Sequence, residues 1–275
     1  MRRTLFMLLL TAVLCAGCSP GETTPEVETL AHPSPGQTAS ELIIIYDNNP
    51  SDSRLYTAWG FSCLVRLPQK TILFDTGGDS STLLHNMTQL QIDPEEIDIV
   101  VLSHIHGDHV GGLSGFLEEN NAVTVYMLKS FPRSFKDEVK SLGAEVEEIS
   151  AARELLPGVY TTGELGNGTR EQSLIITSSK GLVIITGCAH PGVVNIIQIV
   201  KGIVPDDRVY LAMGGFHLSG ASSVRLESII EKFIQLSVEK VALCHCSGDE
   251  ARRLFKERYG NDYIESGVGK RIPLP

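Results

Sequence analysis

The sequence predicts an α/β fold in which two sheets pack face to face beneath outer helices, a four-layer αββα sandwich. Two observations carry this prediction. Each half of the chain begins with short apolar runs joined by turns, which are typical of hairpins, and continues with strands that alternate with helical segments. In addition, histidines follow the carboxyl ends of four predicted strands, at His104, His190, His217 and His245. Open α/β folds build their sites from loops at that edge.

The first residues are expected to lie outside this fold. Residues 1–3 are basic, and the apolar run at 5–14 is too short to span a bilayer. The small residues before Cys18 resemble a bacterial lipoprotein signal, which predicts a signal peptide over residues 1–18 and lipidation of Cys18. The mature protein is then exported and lipid-anchored to the bacterial cell envelope. An ordinary secretory signal cut nearby is the alternative.

Composition separates a tether from a folded domain. Residues 19–40 are rich in Pro, Thr, Ser, Glu and Gly, which predicts a flexible tether. Residues 41–275 form the predicted domain, since 42% hydrophobic content over 275 residues can supply a core. The net charge of −10 argues against a broad basic surface for nucleic acid, so the expected partner is a small-molecule substrate.

The elements of the first half follow from local pattern. β-branched and apolar runs predict strands at 42–46, 61–67, 71–74, 97–102 and 123–127, with a hairpin turn at 68–70 between the second and third. Helices are predicted at 80–90 and 113–120, with a short helical turn at Pro94. The strand at 97–102 leads directly into the most unusual stretch of the chain.

The second half repeats this style. Strands are predicted at 159–162, 174–177, 182–186, 209–213 and 240–243, and helices at 134–142, 192–200, 224–236 and 249–258. No fixed repeat period is visible, which argues against a solenoid.

Residues 103–109, SHIHGDH, place three imidazoles and a carboxylate side by side. An isolated histidine is usually structural, but this density directly after a buried strand predicts a metal site. His104 and His106 share one face of an extended backbone and can reach one ion. Gly107 is expected to turn the chain sharply, so that Asp108 and His109 point towards a second ion. Such ligands suit zinc, with manganese or iron as alternatives.

This stretch also resembles a known family. Together with Asp75-Thr76-Gly77 and the segment 111–113, it is similar to the metallo-β-lactamase fold superfamily. Segments 47–48, 186–192, 214–218 and 244–248 resemble the subgroup named for dihydropterin–ribofuranosylaminobenzene-phosphate synthase. The resemblance implies a sandwich of the metallo-β-lactamase type that binds two divalent metal ions.

The resemblance assigns ligands residue by residue. It implies that His104 and His106 bind the first ion, and that Asp108, His109 and His245 bind the second. Two departures from the family pattern concern the remaining positions. Segment 168–172 lacks the usual third histidine, and Cys188 stands where a bridging aspartate is usual. His190 is therefore expected to complete the first site. Cys188 is a soft metal ligand, a residue that supports a neighbouring ligand, or a buried structural cysteine.

Three neighbouring positions receive supporting roles. His217 is expected to orient a ligand or to contact the substrate. Asp75 either holds a ligating imidazole or forms the turn before Gly77. Cys244 and Cys246 flank His245 and are expected on the opposite face of its strand, packing or lining the rim.

These features predict an exported metal-dependent hydrolase that uses a metal-bound hydroxide on a phosphoester, ester or lactone/amide bond. The predicted catalytic residues are Asp108, which accepts or shuttles a proton, and His217. One alternative is an iron-dependent redox or sulfur-handling metalloenzyme, and another is a non-catalytic metal-binding lipoprotein. A true β-lactamase is disfavoured, because the ligand set departs where those enzymes are regular.

Overall fold

The computed structural model describes residues 40–204 and 208–275. The predicted signal peptide (1–18) and all but the last residue of the predicted tether (19–40) lie outside the described residues. The last of these, Ser40, accepts a backbone hydrogen bond from the N–H of Leu274. Within the described ranges, no helix combines the length and the apolar character that crossing a bilayer requires.

The described residues form thirteen strands and seven α-helices. The strands are β1 (Glu41–Tyr46), β2 (Ser62–Arg66), β3 (Thr71–Phe74), β4 (Ile99–Val101), β5 (Thr124–Leu128), β6 (Glu145–Ile149), β7 (Ala151–Leu156), β8 (Val159–Gly163), β9 (Leu174–Ser178), β10 (Gly181–Thr186), β11 (Val209–Gly215), β12 (Val238–Cys244) and β13 (Arg271–Pro273). The helices are α1 (Ser80–Leu90), α2 (Gly107–Val110), α3 (Leu113–Glu119), α4 (Arg133–Ser141), α5 (Val193–Ile203), α6 (Ser223–Gln235) and α7 (Asp249–Tyr259). Short 3-10 turns occupy Pro94–Glu96, His245–Ser247 and Gly260–Asp262.

The strands build two sheets. The first has the order β13-β1-β2-β3-β4-β5-β6, and the second has the order β12-β11-β10-β9-β8-β7. Strands β3 to β6 are parallel to one another, as are β10 to β12. The carboxyl ends of each parallel set therefore meet at one edge, where the predicted site residues lie.

Side-chain alternation along the strands creates the layers. In β1, Leu42 and Ile44 point into the core between the sheets, whereas Ile43 and Ile45 point to the opposite face and pack with residues of α1 and α3. Helices α5, α6 and α7 cover the outer face of the second sheet through residues such as Ile196, Leu226 and Phe255. The predicted four-layer αββα sandwich is confirmed.

Three strands, β6, β7 and β13, were not predicted from the sequence. Strands β6, β7 and β13 end their sheets, and most of their side chains reach solvent. Since edge strands bury one face at most, their sequences lack the apolar alternation by which strands are recognised.

Candidate metal centre

A first cluster of donors combines His104 and His106, from the loop after β4, with His190, from the loop after β10. One donor atom from each of the three residues lies within 4.8 Å of the others. Nε2 of His104 is 3.1 Å from Nδ1 of His106. Two nitrogens bound tetrahedrally to one zinc ion are separated by about 3.3 Å, so this spacing fits a shared metal ion.

His190 brings to this cluster a ring nitrogen that no other group of the described chain contacts by a hydrogen bond. Its Nε2 atom is buried and has no hydrogen-bond partner within the described structure. Burial, followed by the neighbouring His217 and His106, lowers the pKa of His190 to about 4, which keeps the ring neutral. A half-buried neutral imidazole with an unused buried nitrogen suits a metal ligand.

A second cluster contains Asp108, His109, Cys188 and His245, whose donor atoms also lie within 4.8 Å of one another. Nε2 of His245 is 3.1 Å from Oδ2 of Asp108. Nε2 of His109 is 3.2 Å from Sγ of Cys188. Carboxylate, imidazole and thiolate together form a donor set that suits zinc or iron. This set again fits a divalent ion.

Asp75 orients one donor from each cluster. The buried carboxylate contacts Nδ1 of His109 at 2.6 Å and accepts hydrogen bonds from the backbone N–H and the hydroxyl of Ser103. The Ser103 hydroxyl in turn contacts Nδ1 of His104 at 2.9 Å. Asp75 also has a positive φ of 57°, as a turn residue would. Both roles considered for Asp75 are therefore present together, and its contacts leave each Nε2 free for another partner.

His245 is fixed by two residues that were not predicted as part of the site. Its Nδ1 is 3.0 Å from Oδ1 of Asn48, and its backbone N–H donates to the buried carboxylate of Asp47. The pair Asp47-Asn48 was noted in the sequence as part of the family resemblance, but the pair was assigned no role. Its contacts explain why His245 keeps its Nε2 turned towards Asp108.

Glu171 is the largest omission of the sequence-based prediction. The carboxylate is fully buried and accepts backbone hydrogen bonds from Gly187, Cys188, Ala189 and His190 at 2.8–3.0 Å. Burial raises the pKa of Glu171 to about 7, although the backbone N–H groups of His190 and Ala189 act to lower it. Glu171 lies in segment 168–172, for which the sequence indicated only that the family's usual third histidine is absent. It instead holds the loop that carries Cys188 and His190.

His217 adjoins the first cluster from the loop after β11. Its ring centroid is 4.6 Å from that of His190, and a donor atom of His217 lies within 4.8 Å of donor atoms of His190 and Cys188. The side chain is exposed at the edge of the site. From this position the His217 ring can contact a substrate, and it is also near enough to the first cluster to bind a metal ion.

Backbone strain concentrates at these strand ends. Asp75, Ala189, His217 and His245 have positive φ angles of 46–58° and follow β3, β10, β11 and β12. Non-glycine residues adopt this conformation rarely, and it tends to persist at functional sites, where surrounding contacts enforce it.

At Gly107 the chain changes direction as expected, from extended backbone at His106 into the single-turn helix α2, although a Cβ at Gly107 would meet no atom within 4 Å. One local expectation was wrong. Cys246 does not lie on the far side of a strand, because the chain enters a 3-10 turn at His245. Its Sγ lies 3.3 Å from Sγ of Cys188. Cys244 is buried in the core between the sheets, as expected for a packing residue.

Cavities open beside the clusters. One of about 370 Å³ is bounded by His190, His217 and Arg225 between α5 and α6. A second of about 490 Å³ lies between His190 and residues 166–169. A third of about 200 Å³ borders His245 and Trp59. A small molecule could therefore approach either cluster.

The fold and site define an α/β protein with a candidate metal centre at the ends of its parallel strands. The chain matches the family profile of the metallo-beta-lactamase superfamily over residues 60–245 and belongs to that superfamily. Members of this superfamily typically bind divalent metal ions.

Individual relatives agree with this assignment. A 7,8-dihydropterin-6-methyl-4-(beta-D-ribofuranosyl)-aminobenzene-5'-phosphate synthase from Methanocaldococcus jannaschii is 29% identical over 269 residues, which span 80% of this chain and 92% of the relative. A ribonuclease Z from Nanoarchaeum equitans is 32% identical over 87 residues, 30% of this chain and 25% of the relative. A solved metal-dependent hydrolase of the beta-lactamase superfamily has a TM-score of 0.72 at 26% identity, with 85% of this chain and 98% of that chain covered. The predicted membership of the metallo-beta-lactamase superfamily is confirmed, and the first of these relatives carries the name of the predicted subgroup.

Proposed function

We propose that the protein is a hydrolase that depends on two divalent metal ions, one in each donor cluster. The first ion is held by His104, His106 and His190, and the second by Asp108, His109, Cys188 and His245. The meeting of these residues from separate loops, with Nε2 of His190 left without a partner, supports the proposal most directly. Zinc suits the donors, with manganese or iron as alternatives.

When bound, such ions supply Lewis acidity and lower the pKa of a coordinated water. The chain itself supplies a proton acceptor in Asp108, whose side chain is 22% exposed at the open side of the second cluster. Exposed His217 supplies a contact for the substrate. Asp75, Asn48 and Glu171 hold the donors in place through the contacts described above.

Arg225 favours a phosphoester over an ester, lactone or amide as the bond that the protein hydrolyses. This residue is exposed and lines the cavity shared with His190 and His217. Within the described part of the chain, its guanidinium has neither an ion-pair nor a hydrogen-bond partner, and it stands out in a chain of net charge −10. Arginine pairs well with phosphate oxygens. Two relatives agree with this choice, since one is named for a 5'-phosphate product and another is named a ribonuclease.

Replacement of Arg225 by alanine is expected to raise KM for a phosphoester substrate about 10-fold, because a hydrogen bond between charged groups, which contributes about 1.5 kcal/mol, is lost. Steady-state kinetics measure the change, and Arg225→Lys should recover part of it. Arg133→Ala removes a similarly exposed arginine from α4 and serves as the matched control. An unchanged KM in Arg225→Ala would exclude this residue from substrate binding.

Chelation tests the hydrolase itself. Metal-free protein should lose phosphoester hydrolysis by at least about 100-fold and regain it on addition of zinc or manganese. Full activity after thorough metal removal would contradict the proposal. Tight metal binding without turnover of phosphoester, ester, lactone or amide substrates would favour the non-catalytic metal-binding protein instead.

A second candidate is an iron-dependent redox or sulfur-handling enzyme. The observation that favours it is the contact between the thiols of Cys188 and Cys246 beside the second cluster. Elemental analysis of protein produced without added metal, combined with a phosphoester assay, distinguishes the candidates, because iron without phosphoester hydrolysis supports this reading and zinc opposes it.

Location is a separate proposal. We propose that the protein is exported and lipid-anchored through Cys18, as the composition of residues 1–18 suggests. Cys18→Ser should then move the protein from the membrane fraction to the soluble fraction of bacterial cells. Equal membrane association of both forms would rule out the anchor.

A further inference from the structure

The thiol of Cys188, a member of the second donor cluster, also contacts the thiol of Cys246. Their sulfur atoms are 3.3 Å apart, and both residues are 4% exposed. All four cysteines in the described residues are free. We propose that Cys188 and Cys246 form a reversible disulfide that withdraws Cys188 from the second donor cluster. The consequence for metal binding rests on the function proposed above.

The geometry permits this bond with little movement. A disulfide has an S–S distance of about 2.05 Å, so the two sulfur atoms need to approach by roughly 1.2 Å. Cys188 lies in the loop after β10, and Cys246 lies in the 3-10 turn after β12. Neither residue is fixed within a strand ladder.

Gly215 leaves room for the sulfur of Cys246 and for the backbone of Cys188. A Cβ at this position would lie 2.7 Å from Sγ of Cys246 and 3.3 Å from Cα of Cys188. Any side chain there would push the two residues out of their present positions. The absence of a side chain at Gly215, the last residue of β11, therefore allows Cys188 and Cys246 to lie next to each other.

Sγ of Cys188 cannot bind the second metal ion and form a disulfide with Cys246 at the same time. Sγ of Cys188 is 3.2 Å from Nε2 of His109 and belongs to the second donor cluster. A thiolate is a strong metal ligand, whereas a sulfur in a disulfide carries no charge to offer. Formation of the disulfide and binding of the second ion are thus mutually exclusive uses of Cys188.

The oxidant is a small-molecule disulfide. One cysteine thiolate attacks it and releases one thiol, and the second cysteine then displaces the other thiol from the mixed disulfide. Overall, two protein thiols and one small disulfide give one protein disulfide and two small thiols. The cavity of about 370 Å³ that borders Ala189 and His217 leads to residues adjoining this pair.

Metal-free full-length protein should be incubated with glutathione disulfide and then examined by mass spectrometry and metal titration. We expect a cross-link between the peptides of Cys188 and Cys246, and at least a 100-fold weaker affinity for one of two zinc ions. Reduction should restore that affinity, and protein loaded with zinc beforehand should resist oxidation. Cys246→Ser should give a glutathione adduct at most, while Cys63→Ala, which removes a buried cysteine of the inter-sheet core, should behave as wild type.

Absence of the cross-link in wild-type protein would overturn the proposal, and so would a cross-linked protein that still binds both ions with unchanged affinity. Neither readout requires turnover. Failure to hydrolyse any substrate would therefore count against the proposed hydrolase while a cross-link with loss of one ion still supported the switch.

Discussion

His190→Ala is expected to reduce the bound metal from two ions per chain to one and to lower hydrolysis by at least about 100-fold. The imidazole completes the first cluster with His104 and His106, and its Nε2 has no other partner in the described structure. Two histidines alone hold zinc poorly, because protein zinc sites use three or four protein ligands. Metal analysis after dialysis and initial-rate measurements check both parts of this result.

A histidine outside both clusters provides the control for this experiment. His85 in α1 stacks on Tyr56 with ring centroids 3.7 Å apart and belongs to neither cluster. His85→Ala should keep both ions and full activity. If His190→Ala also retained two ions with wild-type affinity, the first cluster would not be a metal site of the kind proposed.

Glu171→Gln is expected to destabilise the fold by about 1–3 kcal/mol and to weaken metal binding by about 10–100-fold. One glutamine oxygen can still accept from the backbone of Gly187, Cys188 and Ala189. Its NH₂ group then faces the N–H of His190, so two donors meet in a buried site. The loop that carries Cys188 and His190 should lose its fixed conformation.

Urea unfolding and zinc titration measure these two effects. Glu118→Gln, at an exposed position of α3, is the matched control and should change neither quantity. Wild-type stability and affinity in Glu171→Gln would show that the four backbone contacts do not position the donors.

The fold and most donors could be predicted from the sequence because their signals are local. A strand pattern ends before residue 103, and four potential metal ligands follow it within residues 103–109. This loop can therefore be recognised as a metal site without information about any distant segment. His190 and His245 were found because each follows a strong strand pattern and lies in a segment that resembles the family. In the structure His190 and His245 lie beside the loop at 103–109. That they bind metal ions stays a prediction.

The supporting residues could not be predicted in the same way. Glu171 acts on the backbone of residues 16 to 19 positions further along the chain, and Asp47 acts on His245, 198 positions away. No residue-type pattern marks an acceptor for distant N–H groups. Cys246 was misplaced because strand alternation was extended one residue too far, into a 3-10 turn.

Anomalous X-ray scattering from crystals of protein produced without added metal would show whether the two donor clusters bind metal ions. We expect two anomalous peaks, one within coordinating distance of His104, His106 and His190, and the other within coordinating distance of Asp108, His109, Cys188 and His245. Data collected on both sides of the zinc, iron and manganese edges would identify the element. Crystals of active enzyme with no peak at either cluster, or with metal bound only elsewhere, would show that the clusters are not the metal sites of this protein.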